Sequence, residues 1–271
     1  MSPKGVWRRA PPHPPPATVS PGQVRRTASR AVACLILVVC GAACGSNPTV
    51  LEDSFTGPDG LIAAEKRSGD GGFGWEVTSG SLFRDDGQGW TGIPDDGGHE
   101  GDTGSAVFRM VSRRGDLTDV DLSLMLEVTQ LVTTGRTPAR SFDGAHIFVR
   151  YQSDRQLYAV SVDRRDATVV IKKKCDGGDS NGGTYFDLSA VVPDTPIPFG
   201  VWQRVSVAVR NRPDGTVAIS AERDGHTVTA VDSGTGCPPL HAGSVGIRGD
   251  NAELRLDDLR VSFGSEPLPP L

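Results

Sequence analysis

AGSVGIRGDNAELRLDDLRVSF, residues 242–263, closes a run of short strands that begins near Phe199 and carries most of what the chain says about its fold. Working backwards, VWQRVSVAVRN (201–211) alternates Val205, Val207 and Val209 with Arg204, Ser206 and Arg210, the two-residue period of a half-buried strand. One face is core and the other is wet. Arg212-Pro213-Asp214-Gly215 supplies turn chemistry, since Pro presets one turn dihedral and Gly accepts positive φ, and TVAISAER (216–223) is the returning strand. A second turn, Arg223-Asp224-Gly225, launches HTVTAV. Gly and Pro punctuate the rest of the chain in the same way, and segments of helical period and useful length are absent. The pattern predicts an all-β sandwich.

That ending resembles the concanavalin A-like lectin/glucanase superfamily, whose members often close on W-x-x-v-x-v-x-v, then D-G, then G-x-v-G-i-R, then D-D-v-x-v. The matching residues are Trp202 to Val209, Asp224-Gly225, Gly243 to Arg248 and Asp257 to Val261. Leu51-Glu52-Asp53-Ser54-Phe55 looks like the first strand of such domains, so the resemblance covers about 210 of the 271 residues. It implies a two-sheet antiparallel jelly-roll β-sandwich over 51–264, with 265–271 as a C-terminal tail. Activity is left open, because fold does not fix function.

Residues 1–44 hold six basic residues and no acidic ones, followed by the apolar run AVACLILVV (31–39). The run is too short to cross a bilayer, which takes roughly 20 residues, and it reads as a signal peptide. Gly41-Ala42-Ala43-Cys44 resembles a bacterial lipobox, in which Cys44 becomes the lipidated first residue and 45–50 a short tether; Gly41, where such motifs carry an aliphatic residue, departs from it. Ordinary secretion is the plainer reading. Without the leader, 22 basic residues face 33 acidic ones, a balance that argues against nucleic acid or an anionic membrane as partner and leaves a lipid anchor as the membrane link. Cys175 and Cys237, both in Gly-rich loops, are then an even pair in an exported domain. They are expected to form one disulfide, the alternative being two free thiols.

The central segment reads as two hairpins, AHIFVRYQ, LYAVSVD and TVVIKKK. In the expected register Gln152 pairs with Leu157 and Asp163 with Thr168. Ile147, Val149, Tyr151, Tyr158, Val160, Val162, Val169 and Ile171 then face the core. His146, Arg150, Gln152, Ala159, Asp163, Lys172 and Lys174 face out, with Arg150, Ala159 and Lys172 side by side. On an acidic protein this strip predicts a site for an anionic sugar chain, arginine gripping a carboxylate or sulfate in bidentate fashion and lysine adding point charge. The bland reading is a solvated strand end that discourages edge pairing. Trp90, among Gly and Asp in RDDGQGWTGIPDD, is a candidate rim residue for sugar stacking; its alternative is structural packing.

Three function classes fit these residues. The first is a non-catalytic domain that binds a polysaccharide or cell-surface glycan, through His146, Arg150, Gln152, Lys172, Lys174 and Trp90. The second, implied by lyases of the same fold, is a uronate lyase using His146, Arg150, Tyr158 and Lys172, with a slip at a bulge needed to turn Tyr151 or Tyr158 outward. The third is a structural or protein-binding sandwich. The glucanase signature Glu-x-Asp-x-x-Glu is absent, so a retaining glycosidase of that type is not expected. The resemblance also implies a structural Ca²⁺ held by an acid of the first strand and one of the last, here Asp53 and Asp257, against a plain reading of both as solvated strand-end acids.

Overall fold

The computed structural model describes residues 49–65, 74–97 and 103–264, all within the unit Cys44–Leu271. The leader, Cys44, most of the tether and the tail lie outside them. Among the described residues, sixteen strands form two antiparallel sheets.

The nine-stranded sheet runs β14 (His226–Asp232), β13 (Val217–Arg223), β12 (Gln203–Asn211), β7 (Val120–Leu131), β16 (Ala252–Phe263), β5 (Gln88–Trp90), β4 (Ser81–Asp85), β2 (Gly60–Ala64). β1 (Thr49–Asp53) also pairs with β16. The seven-stranded sheet runs β11 (Gly183–Asp187), β10 (Val170–Ser180), β9 (Gln156–Arg164), β8 (Gly144–Ser153), β15 (Ser244–Asp250), β6 (Val107–Ser112), β3 (Trp75–Ser79).

The alternation that predicted β12 is what fills the space between the sheets. Val205 pairs with Leu124, Val207 with Leu122 and Val209 with Val120, and all six are buried. Ile147, Val149, Val160 and Ile171 meet them from the other sheet in the same core. Each such side chain contributes about 1.5–3 kcal/mol when fully withdrawn from water.

Two of the bulges that break this regularity bear on the site. In β16 the register shifts between Asp257 and Arg260, with Asp258 at φ 47°. The bulge divides that strand: β5 pairs with Arg255 and Leu256 on one side of it, β1 with Leu259 to Phe263 on the other. In β8 the register with β9 shifts between Val149 and Ser153, and Arg150 takes φ 53°. A non-glycine residue held there costs on the order of 1–3 kcal/mol, so its surroundings must fix it. Gly243 allows this, because a Cβ at that position would collide with the backbone of Arg150.

Candidate functional site

The β8 bulge rearranges the expected binding strip. Arg150 turns inward instead of outward and is only 1% exposed. Its Nη1 donates to the Leu117 carbonyl at 2.7 Å, its Nη2 to Asn211 Oδ1 at 3.2 Å, and Asp119 lies 3.6 Å away. Burial lowers its pKa to about 10 against the pull of Asp119. Tyr151, expected in the core, turns outward and stacks on Phe148, ring centroids 5.9 Å apart. Ala159 does pair with Lys172, as the hairpin register predicts, but its other neighbour is Phe148 rather than Arg150.

The same bulge puts Ser161 rather than Asp163 opposite His146, and a second shift, between Ala145 and His146, pairs Asp163 with Ala145. Asp163 lies inside, bound by Arg223 at 2.7 Å and Gln203 at 3.0 Å. His146 remains on the outer face, where Nδ1 meets Ser161 Oγ at 2.9 Å and Nε2 meets the Phe142 carbonyl at 3.1 Å. Tyr158 is in the core, donating to Asp232 Oδ2 at 2.6 Å and accepting from Leu240 N at 2.8 Å. Its phenol is pushed up by burial and by the bond to Asp232. The four residues named for a lyase therefore divide, His146 and Lys172 outside, Arg150 and Tyr158 inside.

Trp90 ends β5, where it pairs with Phe83 and Arg255 and donates Nε1 to Glu253 at 2.8 Å. It faces out from the nine-stranded sheet, on the opposite side of the sandwich from Lys172 and Lys174. Gln152 binds the Ala242 carbonyl at 3.0 Å, and Lys172 pairs with Asp187 at 3.0 Å.

What the outer face of the seven-stranded sheet does assemble is a row that the hairpins alone do not reveal. His146, Arg248 and Arg109 stand side by side across β8, β15 and β6. Arg248 grips Asp250 through two bonds of 2.6 Å, and Asp250 also lies 3.3 Å from His146 Nε2. Burial alone would push the Asp250 carboxyl up; Arg248 and His146 outweigh it and hold it well below the usual range. Arg109 bonds Thr78 Oγ1 at 2.6 Å. At the β10 end, Lys174 is 2% exposed, donates to the Asp154 carbonyl at 2.6 Å, and lies 5.2 Å from the centre of the Tyr185 ring. Tyr151 and Tyr185 both feel the charges of Arg109 and Arg248, and burial raises both phenols. The face thus brings Arg109, Arg248 and Lys174 together with two tyrosines, Tyr185 being 36% exposed.

Arg248 had a signal in the sequence. Ile247 points inward, so its successor must point out, and Arg248 belongs to the G-i-R match itself. Its neighbours His146 and Arg109 belong to strands that are distant in sequence and that no hairpin connects to β15.

Cys175 and Cys237 are joined, Cα atoms 6.0 Å apart, as expected. Beside the bridge, Lys173 Nζ donates to the Cys237 carbonyl and forms a fully buried ion pair with Asp232 at 2.7 Å.

The two expected calcium ligands are not joined by a third acid: among the described residues no group of three or more His, Cys, Asp or Glu is placed to hold an ion. Asp257 Oδ1 accepts the Asp258 N–H at 2.7 Å, and Asp53 Oδ1 the Phe55 N–H at 2.8 Å. The Phe55 carbonyl, two residues on from Asp53, already accepts Arg84 Nε at 2.8 Å. The residues do not fit a divalent cation in this arrangement.

No family model matches the sequence, and no curated protein does. Solved structures do match. β-Agarase B from Zobellia galactanivorans superposes with a TM-score of 0.50 at 10% identity, over 80% of this chain and 94% of that one. The fold is the concanavalin A-like jelly roll. A carbohydrate-binding module, CBM66 from Bacillus subtilis, matches at TM-score 0.47 and 13% identity, over 69% of this chain and 94% of that one. The exoplasmic/lumenal domain of VIP36, in a Ca²⁺- and mannose-glycan-bound form, matches at 0.44 and 10%, over 78% and 90%. The concanavalin A-like sandwich accounts for both sheets; at these identities the likeness concerns architecture alone.

Proposed function

We propose that the protein is an exported carbohydrate-binding domain, held at the outer side of a bacterial membrane through a lipid on Cys44, that binds an anionic polysaccharide. The binding surface is the outer face of the seven-stranded sheet. The observation that carries this reading is the Arg248–Arg109 pair flanked by Tyr151, Tyr185 and Lys174, a cationic and aromatic strip on a chain with an acidic excess. Guanidinium forks suit carboxylate or sulfate, and tyrosine rings offer faces for sugar stacking. One matching structure, of an inactivated β-agarase B, is in complex with agaro-octaose, which supports an extended sugar chain as ligand by analogy of fold.

A uronate lyase is the second reading, favoured by the outward turn of Tyr151 beside the two arginines. Arginine would neutralise the uronate, and a tyrosine could move the proton. Mixing the exported chain with neutral and anionic polysaccharides separates the two, if retention and the ultraviolet absorbance of unsaturated products are both recorded. Retention on anionic chains without absorbance is expected. Absorbance would establish the lyase, and neither signal would remove both.

A further inference from the structure

The loop after β1 is built around a cation of the chain's own. Phe55 sits at φ 52°, 1% exposed, with its ring so close to Gly89 that a Cβ there would lie 3.0 Å from it. Asp53 Oδ1 fixes its N–H, and Arg84 Nε fixes its carbonyl. The same guanidinium donates Nη1 to the Pro58 carbonyl at 3.4 Å. Gly57, at φ 139°, presses against it, since a Cβ at that position would come within 3.1 Å of Arg84 Cζ. Asp59 Oδ1 completes the attachment by accepting the Asp86 N–H at 3.0 Å.

The Phe55 and Pro58 carbonyls and the neighbouring Asp53 carboxyl are oxygen donors of the kind from which calcium sites are made. Here a planar cation, the Arg84 guanidinium, already holds both carbonyls. The Asp53 carboxyl is raised by burial, and the charge of Arg84 works against that rise.

We infer that Arg84 does in this chain the work of a structural calcium ion, tying the Ser54–Asp59 loop and its Phe55 plug to the β4–β5 hairpin. A divalent ion entering beside Asp53 meets the guanidinium charge and finds the Phe55 oxygen already engaged. The domain is therefore stable without metal, and its metal independence resides in one side chain.

The test is a set of thermal melts of the exported protein with chelator, without addition and with millimolar calcium, the range in which weak extracellular sites fill. The native chain is expected to melt at one temperature in all three. Arg84→Ala is expected to melt roughly 5 °C lower, from the loss of charge-assisted bonds in a domain of this size. Calcium should recover part of that loss, and should recover none in Arg84→Ala combined with Asp53→Asn. If Arg84→Ala does not fold, Arg84→Gln, which keeps the side chain's reach, carries the same comparison. A native melt that falls with chelator or rises with calcium overturns the inference. So does an Arg84 variant that melts like the native chain, or one whose loss calcium leaves untouched.

Discussion

Arg248 on β15 and Arg109 on β6 stand directly opposite each other in the ladder, two like charges on one face. Such a pair is unfavourable in isolation. Asp250 neutralises only one member, and Arg109 is held by a hydroxyl rather than a carboxylate. An arriving anion would relieve the remaining repulsion. Arg109→Ala and Arg248→Ala are therefore expected to weaken retention on an anionic polysaccharide by roughly 10- to 100-fold, the equivalent of one or two charge-assisted bonds. Affinity chromatography in rising salt checks this: native retention should fall steeply with salt and that of Arg109→Ala less so. Equal salt slopes would dismiss the strip as the binding surface.

Neighbouring lysines should respond very differently to the same substitution. Lys173 is buried in its pair with Asp232, whereas Lys172, one residue away, makes its bond to Asp187 at the partly exposed outer face. Removing one partner of a buried pair leaves an uncompensated charge, so Lys173→Met is expected to cost about 3–5 kcal/mol. Lys172→Met should cost less than about 1 kcal/mol, as exposed pairs do. Urea unfolding of both variants decides the matter, and similar losses would contradict the assignment of faces.

Acid should expose a third relationship. Asp250 and Asp232 both titrate below the usual carboxylate range, Asp250 through Arg248 and His146, Asp232 through Lys173 and Tyr158, each against its own burial. A carboxyl depressed in the folded state contributes stability that is complete above its unfolded pKa of about 3.9 and is lost as pH falls through the folded value. Asp163 and Asp53 are raised by burial and act in the opposite sense. Stability measured by urea midpoint is expected to decline from about pH 5 to pH 3, and Asp250→Asn to flatten that decline. An unchanged slope in the variant would show that the Arg248 grip is not what holds Asp250 ionised.

The architecture was legible because alternation reports a two-sided environment wherever a strand is regular. Val205, Val207 and Val209 announced β12, and the pairing of Ala159 with Lys172 came from the hairpin itself. Bulges defeat the same reasoning. Nothing local to Arg150 and Tyr151 states that one φ near +53° will exchange their faces, because the space for it comes from Gly243, on another strand's approach. Trp90 is hard to place for a different reason: the Gly and Asp residues around it suggest a loop, but Asp86 and Gly87 form the tight turn that makes Trp90 a strand residue. The Arg248–Arg109 row was hidden because cross-sheet neighbours distant in sequence leave no mark in either strand alone.

The bulge at Asp257 and Asp258 also has a mechanical meaning. By freeing one edge of β16 for β1, it lays the first strand antiparallel along the last, with Thr49 opposite Phe263 and Asp53 opposite Leu259. Under the tethering proposed for Cys44, a pull on the anchor enters the domain through β1. Its five register pairs with the last strand are the first to carry that load. The strand that opens the domain is thus clasped by the strand that closes it.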